Sequence, residues 1–521
     1  MNVNKCSCTD CDLDTWREYD KCVLHCPKND YSNDWNDGTL SSFYDEFKKY
    51  IIDSVKKSHK YIDDMNAKLT IEELEANNID KENFDAFEEY QIVPRNIMFP
   101  TRDDRDYFDY FHLLDCFGKV WFIGCEFYLS DLELARARVF FQDCIFLNDW
   151  YLYDYSILKN RDNVIYQTCK FNKLISAYSR EDDIYILSYS QFDYTCIFYQ
   201  GLELDFVHFK EPLFNTNQEN YQENYAIKYI KFEYCIFEKK LELINCKIDT
   251  LYMNKNTFED KFECKFNLIQ KFTIDDSNFT ELVDFYKTEF IEFKIYKSIF
   301  EKFVGFEECR FGKSKGDNKY IAIFEYATFL DFTNFRNTKF LSGLNMEKIN
   351  LKEYPNFLGS FVEFQNTNRE TFRILKYSYD KIGNHIQANK YFSLEMKKHK
   401  VELKDKPIKG YLQEKFIFWI NEKMSNFGQS FIRPIGLIVF FSIMYGLIIY
   451  GNEHTWLMDI SPKVSEILNT IVQGLNYPLK EFRPLEKILK KDYEFMSLIF
   501  NIIFSVLTWQ TIVAVKRYTK R

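Results

Sequence analysis

Glycine and proline are scarce in this chain, at 16 and 10 of 521 residues. A loop-rich enzyme needs more of such turn formers. No glycine-rich nucleotide loop, no Ser/His/Asp order of a hydrolase and no His-Glu-x-x-His pair occurs. The 78 acidic residues are scattered, so they single out no catalytic pair. The expectation is a protein without catalysis. Positive charge is also in short supply. A net charge of -10 argues against direct nucleic-acid binding through phosphate neutralisation. The opening stretch MNVNKCSCTDCDLD has no apolar run of signal type. With 14 cysteines, that places the thiols in a reducing cytoplasm.

Aromatics are abundant: 53 Phe and 37 Tyr. Many belong to a recurring Cys-x-Phe triplet, ending at Phe127, Phe146, Phe171, Phe198, Phe237, Phe266 and Phe311. Cys246-Lys247-Ile248 is a variant, and elsewhere another small residue replaces the Cys, as in Ser277-Asn278-Phe279, Ser298-Ile299-Phe300 and Ala327-Thr328-Phe329. Bulky residues recur in steps of five: Phe290, Ile295, Phe300; Ile248, Met253, Phe258; Phe306, Phe311; Phe335, Phe340. Steps of six join several of these groups. That period suits neither a helix at about 3.6 nor a flat strand at about 2. It suits a coil that turns a corner every five residues. One bulky side chain per side then points to the axis, with a small residue two places earlier beside it. The triplet cysteines read as small core residues.

This pattern resembles the pentapeptide-repeat family, with Phe where the family has its central Leu and Cys often where it has Ala. The resemblance covers about 115–350, is clearest at 230–345, and weakens in 147–230, where Asn215 to Asn224 interrupts it. It implies a mainly β fold, a right-handed quadrilateral β-helix (solenoid), at 115–355. Segment NRETFRILKYSYDKIGNHIQANKYFSLEMKKHK is similar to the linker of bacterial membrane-bound members.

A solenoid needs capped ends. A helical N-terminal region is expected at 31–114, with Phe43, Phe47, Tyr50, Ile51 and Val55 on one side of a helix over 39–66. A helical C-terminal cap and linker is expected at 356–410. Phe372, Leu375, Tyr379 and Ile382 form its first stripe, Gly383-Asn384 its break, and Ile386, Tyr391, Leu394 and Met396 its second helix. His385 and Glu395 read as surface polar residues of that cap.

Residues 434–452 and 495–515 carry no charge over nineteen and twenty-one positions. Each matches the ~20 residues that cross a ~30 Å hydrocarbon layer. The expectation is two transmembrane α-helices joined by a connector at 453–494. An interfacial helix at 411–433 carries Phe416, Phe418, Trp419 and Ile420, and a basic tail occupies 516–521. Lysines and arginines flanking both spans suggest an inner-membrane, multi-pass protein with its soluble domain in the cytoplasm.

The N-terminal 1–30 contains CSCTDCDLDTWREYDKCVLHC. The pairs Cys8/Cys11 and Cys22/Cys26 have the spacing of a small structural Zn²⁺ site, with Cys6 and His25 as alternative ligands.

The leading functional expectation is a membrane-anchored scaffold that presents a rigid surface to a protein partner and forms a homo-oligomer. A second is a two-span channel or transporter subunit, with Asn501 and Gln510 as polar residues inside the second span. A third, implied by the family resemblance alone, is a DNA mimic that protects a topoisomerase.

Overall fold

The structure is a computed structural model. It describes residues 5–9, 11–28, 39–57, 68, 71–72, 75–76, 87, 89–101, 109–178, 183–215, 225–453, 470 and 494–519. Two compact units divide the chain, Met1–Asn366 and Thr367–Arg521.

The first unit is built from short parallel strands in five stacked sheets. Every strand pairing among the described residues is parallel. A strand therefore pairs with its counterpart one turn later, which makes the fold solenoid-like. Paired strands run from Gln91–Ile92 to Phe361–Val362, past both ends of the expected 115–355.

The turn is 21 residues long where it is most regular. Ile230, Leu251, Phe272 and Phe293 are in register on successive turns. So are Phe237, Phe258, Phe279 and Phe300. The next step, Phe300 to Phe329, takes in an extra eight residues around the 3-10 turn Asn318–Tyr320. The expected five-step residues are buried: Phe290, Ile295, Phe300, Ile248, Met253, Phe258, Phe335 and Phe340. Their rings stack one strand spacing apart. Phe237, Phe258, Phe279 and Phe300 have centroids separated by 4.8, 4.5 and 4.8 Å and planes within 7° of parallel. A second file runs through Phe285, Phe306, Phe335 and Phe357 at 4.8, 4.9 and 4.9 Å. Ladder spacing imposes this face-to-face geometry, which free aromatic pairs do not favour.

Corners are made by residues with positive φ. Tyr234, Asn245, Lys255, Phe266, Asp276, Lys287, Lys297 and Glu308 alternate eleven and ten apart, and none is glycine. Each sits just before a small residue that stabilises the corner; Phe266, expected as a core ring of its Cys-x-Phe triplet, is instead one of these corner residues and is exposed. The Cys235 amide donates to Asn256 Oδ1 at 2.8 Å, the Asn256 amide to Ser277 Oγ at 3.1 Å, and the Ser277 amide to Ser298 Oγ at 3.2 Å. Asn256 Nδ2 donates back to the Phe232 carbonyl at 2.8 Å. A second file repeats this through Cys246, Asn267 and Thr288. The triplet cysteines behave as expected of core residues. Cys144, Cys169, Cys196, Cys235 and Cys309 are buried, and their thiols lie on backbone carbonyls. Burial pushes the Cys235 thiol up to about 12.

Before the first turn, the helix Thr39–Lys56 buries Phe43, Phe47, Ile51 and Val55, as the sequence predicts, while Tyr50 donates its hydroxyl to the Val93 carbonyl at 2.9 Å. Residues 58–66 of that expected helix lie outside the described residues.

In the second unit, helices Arg369–Lys381 and His385–Lys404 meet at the predicted Gly383-Asn384 break. Phe372, Leu375, Tyr379 and Tyr391 are buried, while Ile382 and Ile386 are exposed. Glu395 departs from the expected surface role: it is buried against Arg373 at 3.2 Å. Helix Ile408–Ser425 follows, with Leu412, Phe416 and Trp419 exposed. Two helices are long and apolar enough to cross a membrane, within Ile432–Ile449 and Glu494–Arg517. They touch through Tyr445 and Phe500, with ring centroids 4.6 Å apart. Only 6% and 17% of these two stretches are buried, so most of their apolar side chains are exposed. Apart from its two ends and Thr470, the expected connector lies outside the described residues.

Candidate metal centre

Residues 5–9 and 11–28 form a compact knuckle around thiols. Its first arm is a tight reversal: the Lys5 and Asp14 backbones form an antiparallel bridge, and the Cys6 amide donates to the Leu13 carbonyl at 2.9 Å. That reversal sets Cys6 and Cys11 on one side. The second arm is a single helical turn, in which the His25 and Cys26 amides both donate to the Cys22 carbonyl, at 3.0 and 2.9 Å. That turn sets Cys22 and His25 on one face, three residues apart. The Ser7 amide donates to the Asp20 carbonyl at 2.9 Å and ties the arms together.

Four donor atoms converge there. The ligand atoms of Cys6, Cys11, Cys22 and His25 all lie within 4.8 Å of one another. His25 Nδ1 is 3.2 Å from Cys22 Sγ and 3.6 Å from Cys6 Sγ, and Cys11 Sγ is 3.7 Å from Cys22 Sγ. Thiolates at ~2.3 Å and imidazole at ~2.0 Å from a tetrahedral ion place ligand atoms roughly 3.5–3.8 Å apart. The His25–Cys6 and Cys11–Cys22 separations match this range, so the group could hold a metal ion as a Cys₃His centre.

The surroundings suit metal ligation. Cys6 and Cys22 are buried, and Cys11 and His25 half-buried. Burial pushes the Cys6 thiol up, but backbone amides at Cys22 and Cys8 and the neighbouring Cys11 and Cys22 thiols outweigh it and hold it below its ordinary value. Burial raises the Cys11 and Cys22 thiols. Burial, then Lys28 and Lys21, push His25 down, so its ring is held neutral with a lone pair to donate. The Arg95 backbone acts on the ring in the opposite sense, pulling its pKa up by a smaller amount.

Of the four predicted ligands, Cys11 and Cys22 are in the cluster. Cys8 and Cys26 are not; the alternatives Cys6 and His25 take their places. Cys26 is fully buried, and Lys28 Nζ lies 3.5 Å from its sulfur and 2.6 Å from its carbonyl. Cys8 is half-buried beside Cys6, and its thiol is pushed up to about 11, chiefly by burial and then by Cys6. The spacing Cys22-x-x-His25 was the visible signal for the observed set. The two Cys-only pairs obscured it, because spacing does not reveal which sulfur a neighbouring lysine will claim.

No family model, curated protein or solved structure matches the chain.

Proposed function

We propose that this chain is a membrane-anchored scaffold without catalysis, whose repeat unit presents a rigid surface to a protein partner. In this reading the repeat is a right-handed, four-sided coil of the pentapeptide-repeat kind. The two apolar helices hold it at the inner face of a bacterial cytoplasmic membrane, in a homo-oligomer, and the Cys₃His centre carries a structural Zn²⁺.

The observation that carries the scaffold reading is the outer face of the twelve-stranded sheet. Charged side chains stand there at fixed ladder spacing. Lys231 bridges Glu203 at 2.8 Å and Glu233 at 3.0 Å. An open depression on that face is lined by Asp149, Lys173, Gln200, Lys228, Tyr229 and Asp249. Side chains fixed by a parallel ladder are pre-organised, which lowers the ordering cost of binding. The channel reading has less support. Gln510 is engaged within its own unit, accepting from Ser425 at 2.9 Å and donating to Asn421 at 2.8 Å.

The test is proximity labelling in the native cell, comparing wild type with Lys173→Glu/Lys228→Glu. A partner labelled by wild type and lost with the double variant supports a docking surface. An identical labelling profile for both removes this face as the docking site.

A further inference from the structure

The knuckle does more than fold on itself. Through the five-stranded sheet that runs from Met98–Phe99 to Ile197–Phe198, each turn donates to the turn before it with one offset. The Glu126 amide donates to the Ile97 carbonyl at 3.0 Å, and the Ile145 amide to the Cys125 carbonyl at 2.9 Å. The first strand of that sheet, Met98–Phe99, has no earlier strand to pair with among the described residues. Yet its Met98 amide donates to the Leu24 carbonyl at 2.9 Å, with the same offset. Residues Leu24 to Cys26 thus stand where a preceding strand would stand. Pro100 has no N–H, so the ladder needs no second bond there.

Three further contacts fasten the knuckle to the first turns. The Arg95 backbone lies beside the His25 ring, and Arg95 is itself bridged to Ile123 of the next turn. The Tyr128 hydroxyl lies beside the Lys28 backbone. Lys28 Nζ lies 5.5 Å from the Phe43 ring centroid, and Phe43 packs edge-on to Phe99 at 6.0 Å. Phe99 is the first ring of the file that continues through Phe127 and Phe146 at 5.1 and 4.9 Å.

We infer that the knuckle is the metal-locked terminal turn of the solenoid-like repeat: a thiophilic divalent ion at Cys6, Cys11, Cys22 and His25 holds Leu24–Cys26 on the edge strand Met98–Phe99. The inference rests on the Zn²⁺ reading above. A loop of this length has little apolar core of its own, and beside the Ser7–Asp20 bonds the four convergent ligands are what join its two arms. Leu24, whose carbonyl holds the Met98 amide, lies between the ligands Cys22 and His25, so the metal centre and the edge strand share one short turn. Losing the ion frees His25 and both thiol arms together, and the edge strand is left with an open N–H. Open parallel edges recruit further strands, which is what caps prevent.

The experiment uses full-length protein in detergent, loaded with Zn²⁺ or stripped by a chelator. Two readouts are taken: bound zinc by mass spectrometry, and amide exchange across 91–101, 119–128 and 237–300. The expected result is one Zn²⁺ per chain. On stripping, exchange at Met98 rises by at least ~10-fold and spreads into 119–128, with 237–300 unchanged. Cys11→Ser reproduces the stripped pattern, and Cys8→Ser does not. One bound Zn²⁺ with exchange at Met98 unaltered by its removal overturns the cap and leaves the zinc reading standing. A chain that binds no Zn²⁺ overturns both.

Discussion

Asn256 shows most clearly why the position two before each Phe holds a small residue. Its side chain accepts from the Cys235 amide and donates to the Phe232 carbonyl, both buried at a corner. Sequence spacing identifies this position as one where bulk would crowd the ring. It does not reveal that the side chain completes the corner's hydrogen bonds, because Cys, Ser, Thr, Asn and Ala all satisfy the size requirement. Asn256→Ala leaves two buried backbone groups unpaired. It should cost about 1–3 kcal/mol, read as a lower urea midpoint for the repeat. Ala327 already fills the equivalent position without a polar group, so Ala327→Gly should cost less. The thiols give a second residue-scale expectation. Cys144, Cys169, Cys196 and Cys235 are sealed in the core and should stay unmodified by a thiol reagent in the native protein. After chelation only the N-terminal cysteines should react, and denaturant should release the rest. For the metal centre, Cys22→Ser and His25→Ala should lose bound zinc, while Cys26→Ser retains it.

At the scale of elements, the corners were the least legible feature. Positive φ in Tyr234, Lys255, Phe266 and Lys287 contradicts the preference that reserves this conformation for glycine. Each left-handed non-glycine residue costs ~1–2 kcal/mol, and the ladder must offset it. The Lys255, Phe266 and Asp276 amides each donate to the following turn at 3.0 Å. Lys287→Gly should therefore raise the unfolding midpoint, and Lys287→Val should lower it. The extra eight residues between Phe311 and Ala322 are a surface insertion in the ladder. Deleting 313–320 restores the 21-residue step and should leave circular dichroism and the urea midpoint of the repeat unchanged. The early turns were hidden for a related reason. Gln91–Ile92 and Met98–Phe99 are two-residue strands, and the helix Tyr110–Asp115 follows them before the triplets become regular. A period needs several turns to show, and among the described residues no strand of the repeat precedes Gln91.

For the whole molecule, the apolar helices and the repeat were both visible in the sequence, since each follows from a long run of one pattern. Ile443 is exposed near the middle of the first apolar helix. Ile443→Lys would cost little on a soluble surface. In a bilayer it costs about 2.5–3.5 kcal/mol, so the variant should shift from the carbonate-resistant membrane fraction toward the soluble one.

The central claim is that a parallel coil advances one strand spacing every 21 residues. Its most direct test is a set of distances between spin labels on the corner residues Tyr234, Lys255, Asp276, Lys297, Tyr326 and Lys348, which stand on successive turns. With labels attached through non-natural residues, the separation should grow by ~4.8 Å per turn, to ~24 Å between positions 234 and 348. Separations that fail to increase step by step along this series would contradict it.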